Sequence, residues 1–76
     1  MAFNGHRNYN HWNVSLWLNN DEGLYRMMTR AYGHGRRTKR QAAQNMLDEL
    51  MALGQTKTPD GAPYSVTSIR AAMVGL

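Results

Sequence analysis

Apolar residues along this chain fall into four groups, each spaced for a helix and each bounded by capping or turn residues. Trp12, Leu16 and Trp17 recur at i, i+4 and i+5, with Val14 and Leu18 widening the stripe, so a first helix is expected to start near Asn8 or Asn10. Asn19-Asn20-Asp21 breaks it, because short polar side chains compete for the helical backbone bonds. Leu24, Met28, Ala31 and Tyr32 form a second stripe at i, i+4, i+7 and i+8. Asp21 and Glu22 stand in its first turn and Arg30 near its end, as the helix dipole favours, and Gly33 reads as its C′ residue. Thr38 with Gln41 makes a capping box. It opens a third helix with Ala43, Met46, Leu47, Leu50 and Leu53 inward, closed by Gly54. Residues 55–64 read as a loop around a Thr58-Pro59-Asp60-Gly61 β-turn, with a small hairpin as the other form open to it. Ser65 then caps a last helix carrying Val66, Ile69, Met73 and Leu76 on one face. The expected fold is all-α. It is a small bundle of about four short helices, over roughly 10–19, 21–32, 39–53 and 65–75, without disulfides and preceded by an irregular arm over residues 1–8. Residues 1–76 read as one helical domain.

A chain of 76 residues buries only about 60% of its unfolded surface. The core is therefore thin. With no Cys, disulfides, thiolate metal sites and Cys nucleophiles are excluded together. Packing and caps must hold the fold, or a second subunit must, so a homodimer remains open. The opening residues, Met1 to Arg7, carry no apolar core of a signal peptide. No apolar run approaches the ~18 residues of a membrane span. A soluble chain in a reducing compartment is the expectation.

Candidate chemistry is sparse. His6, His11 and His34 lack the companions and spacing of a closed metal set, so no metal and no cofactor is expected. Asp21 and Glu22 belong to a helix start, Asp48 and Glu49 to the polar face of the third helix near Arg40, and Asp60 to a turn. No carboxylate is left for acid–base work. Nucleophile elbows, P-loops and dinucleotide fingerprints are absent. The expectation is a protein that is not an enzyme and has no catalytic residues.

Charge changes the picture more. Nine Lys and Arg stand against five acids, a net charge of +4, and seven of the nine cations are Arg, the type that pairs with phosphate and carboxylate in bidentate geometry. Four of them, Arg36, Arg37, Lys39 and Arg40, fall within five residues. Lys39 and Arg40 sit in a first helical turn, against the helix dipole, at ~0.3–1 kcal/mol each. Charge placed against local preference points to a use in contact. Arg26 and Arg30, one turn apart on the preceding helix, and Lys57 complete the candidate contact set. Its partner would be a host protein or nucleoprotein complex with an acidic or phosphate surface.

Two resemblances add context. Leu53, Gly54, Thr58, Gly61, Pro63, Tyr64, Ser65, Thr67, Ile69 and Arg70 resemble the DNA-binding segment of large serine recombinases, a helix, a Gly-containing turn and a final helix. That resemblance implies a small DNA-binding regulator with a helix-turn-helix-like unit. Thr67, Ser68 and Arg70 would face the groove of duplex DNA, and the Arg36–Arg40 cluster would hold phosphates. Here Arg70 is followed by Ala71-Ala72-Met73 rather than by further basic residues. Over residues 4–25, Asn4-Gly5, Asn8-Tyr9, Trp12-Asn13-Val14, Leu16-Trp17 and Asn20-Asp21-Glu22-Gly23-Leu24-Tyr25 resemble a family of short, uncharacterised tailed-phage proteins. His6 stands where that family often has Trp, and His11 where it often has Thr. The resemblance implies a phage product acting in the host bacterial cytoplasm. Small phage proteins without chemistry act as a class on host complexes. The leading expectation is thus a non-enzymatic interaction protein that inhibits or redirects a host nucleoprotein machine, anti-defence in kind, as an inhibitor of a CRISPR effector would be.

Overall fold

The computed structural model describes residues 8–76, His34 by its backbone alone. Four α-helices follow in order: α1 (Tyr9–Asn20), α2 (Glu22–Tyr32), α3 (Lys39–Ala52) and α4 (Val66–Ala72). Local chemistry sets most boundaries. Asn8 caps α1, its Oδ1 accepting the His11 N–H at 3.0 Å. Asp21 does two jobs. Its N–H closes α1 on the Trp17 carbonyl at 2.9 Å, and its carboxylate accepts the Leu24 N–H to open α2. Asn19-Asn20-Asp21 is thus a hinge of one non-helical residue. Both expected capping residues are in place on α3 and α4. Thr38 pairs reciprocally with Gln41, and Ser65 with Ser68, each pair satisfying donors that a helix start leaves orphaned.

Residues 57–63 take the hairpin form. Lys57 bridges Pro63 in antiparallel sense, Gly61 N–H donates to the Thr58 carbonyl at 2.8 Å, and Thr58 N–H donates to the Ala62 carbonyl at 2.8 Å. Gly61 has φ 91°, the left-handed residue that ends a three-residue hairpin loop. Among the described residues no strand extends beyond this bridge.

Helix α4 packs against α1 and α3, and α2 packs against both as well. Val14, Leu18, Met28, Ala42, Ala43, Met46, Leu50, Ala62, Tyr64, Ile69, Ala72 and Met73 form the core, and Leu24, Ala31, Tyr32, Leu47, Val66 and Leu76 pack against it half-buried. The stripes expected for α2 and α4 are therefore the ones used.

Three details differ. On α1 the buried face is Asn13, Val14 and Leu18, while Leu16 is 40% exposed and Trp12 and Trp17 are half-buried. Trp12–Leu16 and Val14–Leu18 are two apolar rows about 160° apart on the helix, at about 100° per residue. One core cannot bury both rows. Leu53 is 58% exposed rather than inward. Helix α3 ends at Ala52, and Gly54 at φ 75° turns the chain away toward the hairpin. Helix α4 spans 66–72, not 65–75: Ser65 is its cap, and 73–76 continue as i→i+3 turns, with Met73 N–H on Arg70 and Leu76 N–H on Met73. The arm expected over 1–8 lies outside the described residues apart from Asn8, as does His6.

Candidate functional site

The basic residues cluster where α2 gives way to α3, and local backbone chemistry explains the shape of that turn. Gly33 ends α2 at φ 63°, its N–H on the Thr29 carbonyl. A 3-10 turn over Gly33–Gly35 follows, and Thr38 starts α3. Arg37 reaches back and donates from Nη1 to the Ala31 carbonyl at 3.0 Å, placing a cation on one of the last carbonyls of α2, where the dipole favours it. A Cβ on Gly33 would stand 3.1 Å from that Nη1 atom. Glycine is favoured here by its φ, and a Cβ would also oblige the Arg37 guanidinium to give by a few tenths of an ångström.

Pairing decides which cations are available. Each of the five acids has a hydrogen-bond or ion-pair partner. Asp21 caps α2, Glu22 pairs with Arg26, Glu49 with Arg30 at 3.5 Å, Asp48 accepts from Gln44 at 2.9 Å, and Asp60 accepts from Asn13 and Trp17. Arg26 and Arg30 are thereby paired, and Arg37 is held by the Ala31 carbonyl. Among the described residues the side chains of Arg36, Arg37, Lys39, Arg40, Lys57 and Arg70 meet no acid within ion-pair distance, and the first four of them share this turn. Arg36 and Arg40 are exposed and Lys39 half-buried. An excess of positive charge, unneutralised by the protein itself, is concentrated at this turn.

A second constellation joins α1 to the hairpin. Asn13, 1% exposed, and Thr58, 4% exposed, are joined by the Thr58 hydroxyl donating to Asn13 Oδ1 at 2.6 Å. Thr58 Oγ1 accepts the Ala62 N–H at 3.0 Å. Asn13 Nδ2 and Trp17 Nε1 both donate to one oxygen of Asp60 at 2.9 Å. These bonds hold the carboxyl of Asp60 below its ordinary value of 3.8, the Asn13 bond most and the Trp17 bond next. The hairpin is pinned onto α1 by a fully satisfied polar cluster.

Beside it lies an open cleft of about 520 Å³ lined by Trp17, Leu24, Met27, Lys57, Pro59 and Tyr64, among others. Burial, and then the charge of Asp21, raise the Tyr64 hydroxyl above its ordinary 10.0. Tyr64 therefore stays protonated through the neutral range. Among the described residues no three His, Asp or Glu side chains gather as a metal set. No helix there is long and apolar enough to cross a membrane.

A family model described as a family of unknown function (DUF7249) matches residues 1–75. The chain belongs to this family. No curated protein and no solved structure matches it.

In this member of the family the expected contact residues do not form one surface. Arg36, Arg37, Lys39 and Arg40 stay together in the turn. Arg26 and Arg30 are tied to glutamates. Lys57 lines the cleft with Asp21, Gly23 and Leu24, at the opening of α2, whereas Arg37 meets α2 at Ala31, near its end. Leu24 and Ala31 are about 10 Å apart along the helix, so Lys57 belongs to another region. The groove-facing set also divides. Thr67 and Arg70 are exposed, but Ser68 is 1% exposed and its hydroxyl serves the Ser65 capping box. A cap at the helix start, packed between α1 and α3, is unavailable to a groove. Sequence reasoning missed the Asn13–Thr58–Asp60–Trp17 cluster. The only local sign was a turn Asp beside no cation; its partners lie more than forty residues away.

Proposed function

We propose that this is a non-enzymatic docking protein of phage type, which attaches through the basic turn between α2 and α3 to an anionic face of a host nucleoprotein complex and so inhibits or redirects it. The observation that carries this reading is the imbalance of pairing. Every carboxylate is engaged in a cap, an ion pair or a polar cluster, whereas Arg36, Lys39 and Arg40 share one turn without an acidic partner. Unneutralised like charges crowded in one place destabilise the isolated fold and are relieved by an anionic partner. Engagement of all five acids also supports the absence of acid–base chemistry. The phage setting rests on the Trp- and Asn-rich pattern of residues 4–25.

The test is affinity capture from bacterial host lysate with the wild type, Arg36→Ala/Arg40→Ala and Arg37→Ala, read by mass spectrometry. The expected result is recovery of nucleoprotein components by the wild type and their loss with Arg36→Ala/Arg40→Ala. Equal recovery by both proteins would remove the basic turn as the contact surface. Arg37→Ala reports separately on the α2 cap.

A further inference from the structure

We infer that the basic turn meets the sugar–phosphate backbone of a nucleic acid, rather than the carboxylates of a protein, and does so without reading bases. The inference rests on the docking reading above and names the chemistry of the partner at that same turn.

The first argument is the lack of tethering. Arg36 and Arg40 are exposed, and among the described residues no hydrogen bond or ion pair holds either side chain. Long side chains of this kind present no fixed geometry. Against scattered carboxylates on a protein they contribute little, since each exposed pair must order two side chains and is screened by salt. Anchors of protein interfaces are instead rigid and desolvated. A nucleic-acid backbone makes no such demand. Its charge is dense and linear, and each phosphate neutralised releases condensed counterions whatever the exact contact geometry. The same looseness argues against base reading, which needs bidentate donors held in place.

The second argument is the outer face of α3. Arg40, Gln44 and Asp48 recur every fourth residue and are all exposed, so one row passes from cation to amide to carboxylate. Gln44 donates to Asp48, and Glu49 stands beside them. The distance from Arg40 to Asp48 is about 12 Å along the axis. Phosphates laid along this helix would meet Asp48 and Glu49 and be repelled. The backbone must therefore cross α3 at its start, touching Arg36, Lys39 and Arg40 and little else. A short, weak, salt-sensitive contact follows, of the kind that adds attachment to a complex already containing nucleic acid.

The experiment is fluorescence anisotropy on the full chain with two duplexes of unrelated sequence, a single strand and a poly-glutamate chain, across salt from about 50 to about 200 mM. The two duplexes are expected to bind alike, within about 2-fold. Three cations at ~0.9 per phosphate predict a log–log slope of about −2.7, or roughly 40-fold weakening across that range, with ~0.7 per phosphate for the single strand. Arg36→Ala/Lys39→Ala/Arg40→Ala should abolish most of the slope with unchanged far-UV circular dichroism. Should that variant fail to fold, Arg36→Ala/Arg40→Ala removes two exposed cations and leaves the half-buried Lys39 in place, and its slope should become shallower by about 1.8. Poly-glutamate binding as tightly as duplex would overturn the nucleic-acid contact while leaving the docking reading intact. A 10-fold or larger preference between the duplexes would overturn backbone-only contact. If no probe binds at low salt while Arg36→Ala/Arg40→Ala still loses its captured host partner, the nucleic-acid inference alone falls; if capture is also unchanged, the docking reading falls with it.

Discussion

The Thr58 hydroxyl donates to the side-chain oxygen of Asn13 at 2.6 Å, joining a hairpin to α1 across 45 positions of the chain. Both residues are almost fully buried. An unpaired polar group at such a site carries its desolvation cost in full, about 1–3 kcal/mol. Asn13→Ala leaves the Thr58 donor without its acceptor and should destabilise by about that amount, as should Thr58→Val. Because each change already breaks the same bond, the double variant should cost less than the two single changes added together. Urea denaturation of the four proteins measures this. Strict additivity would show that the bond does not couple hairpin and helix.

Asp60 makes the same junction sensitive to acid. Its folded-state carboxyl is held below 3.8 by the Asn13 and Trp17 donors. A depressed carboxylate contributes stability above its unfolded value, and that stability is lost as pH falls through the folded one. The difference between wild type and Asp60→Asn should be full near neutrality and shrink below pH about 4. A difference independent of pH in thermal unfolding from neutral to strongly acid conditions would mean that the charge of Asp60 is not what the donors recognise.

Tyr64 gives the opposite sign. Its hydroxyl is raised above 10.0, by burial first and by Asp21 second. A raised group contributes stability that is present below the unfolded value and lost as pH rises through the folded one. Alkaline titration by tyrosinate absorbance should show a late-ionising group from Tyr64. Tyr64→Phe should remove that group and make unfolding less alkali-sensitive; a late group that persists in Tyr64→Phe would assign the shift elsewhere.

The thin core separates apolar residues by location and not by type. Leu50→Ala and Leu18→Ala, both at fully buried positions, should each cost about 2–5 kcal/mol. A domain of this length has a total stability of about 4–11 kcal/mol, so either change leaves it marginal. Leu16→Ala and Leu53→Ala, at exposed positions, should stay within about 0.5 kcal/mol. Melting curves of the four variants test the ranking, and a Leu53→Ala loss equal to that of Leu50→Ala would return Leu53 to the core.

Much of this molecule was legible from local chemistry. The Thr38 and Ser65 caps, the Asp21 break, the Gly33 stop and the Thr58–Gly61 turn all stand where residue type placed them, and Asn8 is the one of two candidate caps, Asn8 and Asn10, that starts α1. Caps and turns depend on side-chain-to-backbone bonds within three or four residues, so a linear reading reaches them. The clustering of Arg36, Arg37, Lys39 and Arg40 was equally legible, because all four lie in one turn. What linear reading could not reach was choice among equivalents. Helix α1 offers two apolar rows and nothing nearby says which one meets α4. Seven Arg look alike until Glu22, Glu49 and the Ala31 carbonyl are seen to engage three of them. Ser68 looks like an exposed hydroxyl until its cap turns it inward. The sequence by itself determined the helices, the caps that start α3 and α4 and the site of the basic turn, since those follow from short-range bonds. Only the tertiary structure decided which faces are buried, which cations remain unpaired and that Asn13, Trp17, Thr58 and Asp60 meet, because those follow from contacts between segments far apart in the chain.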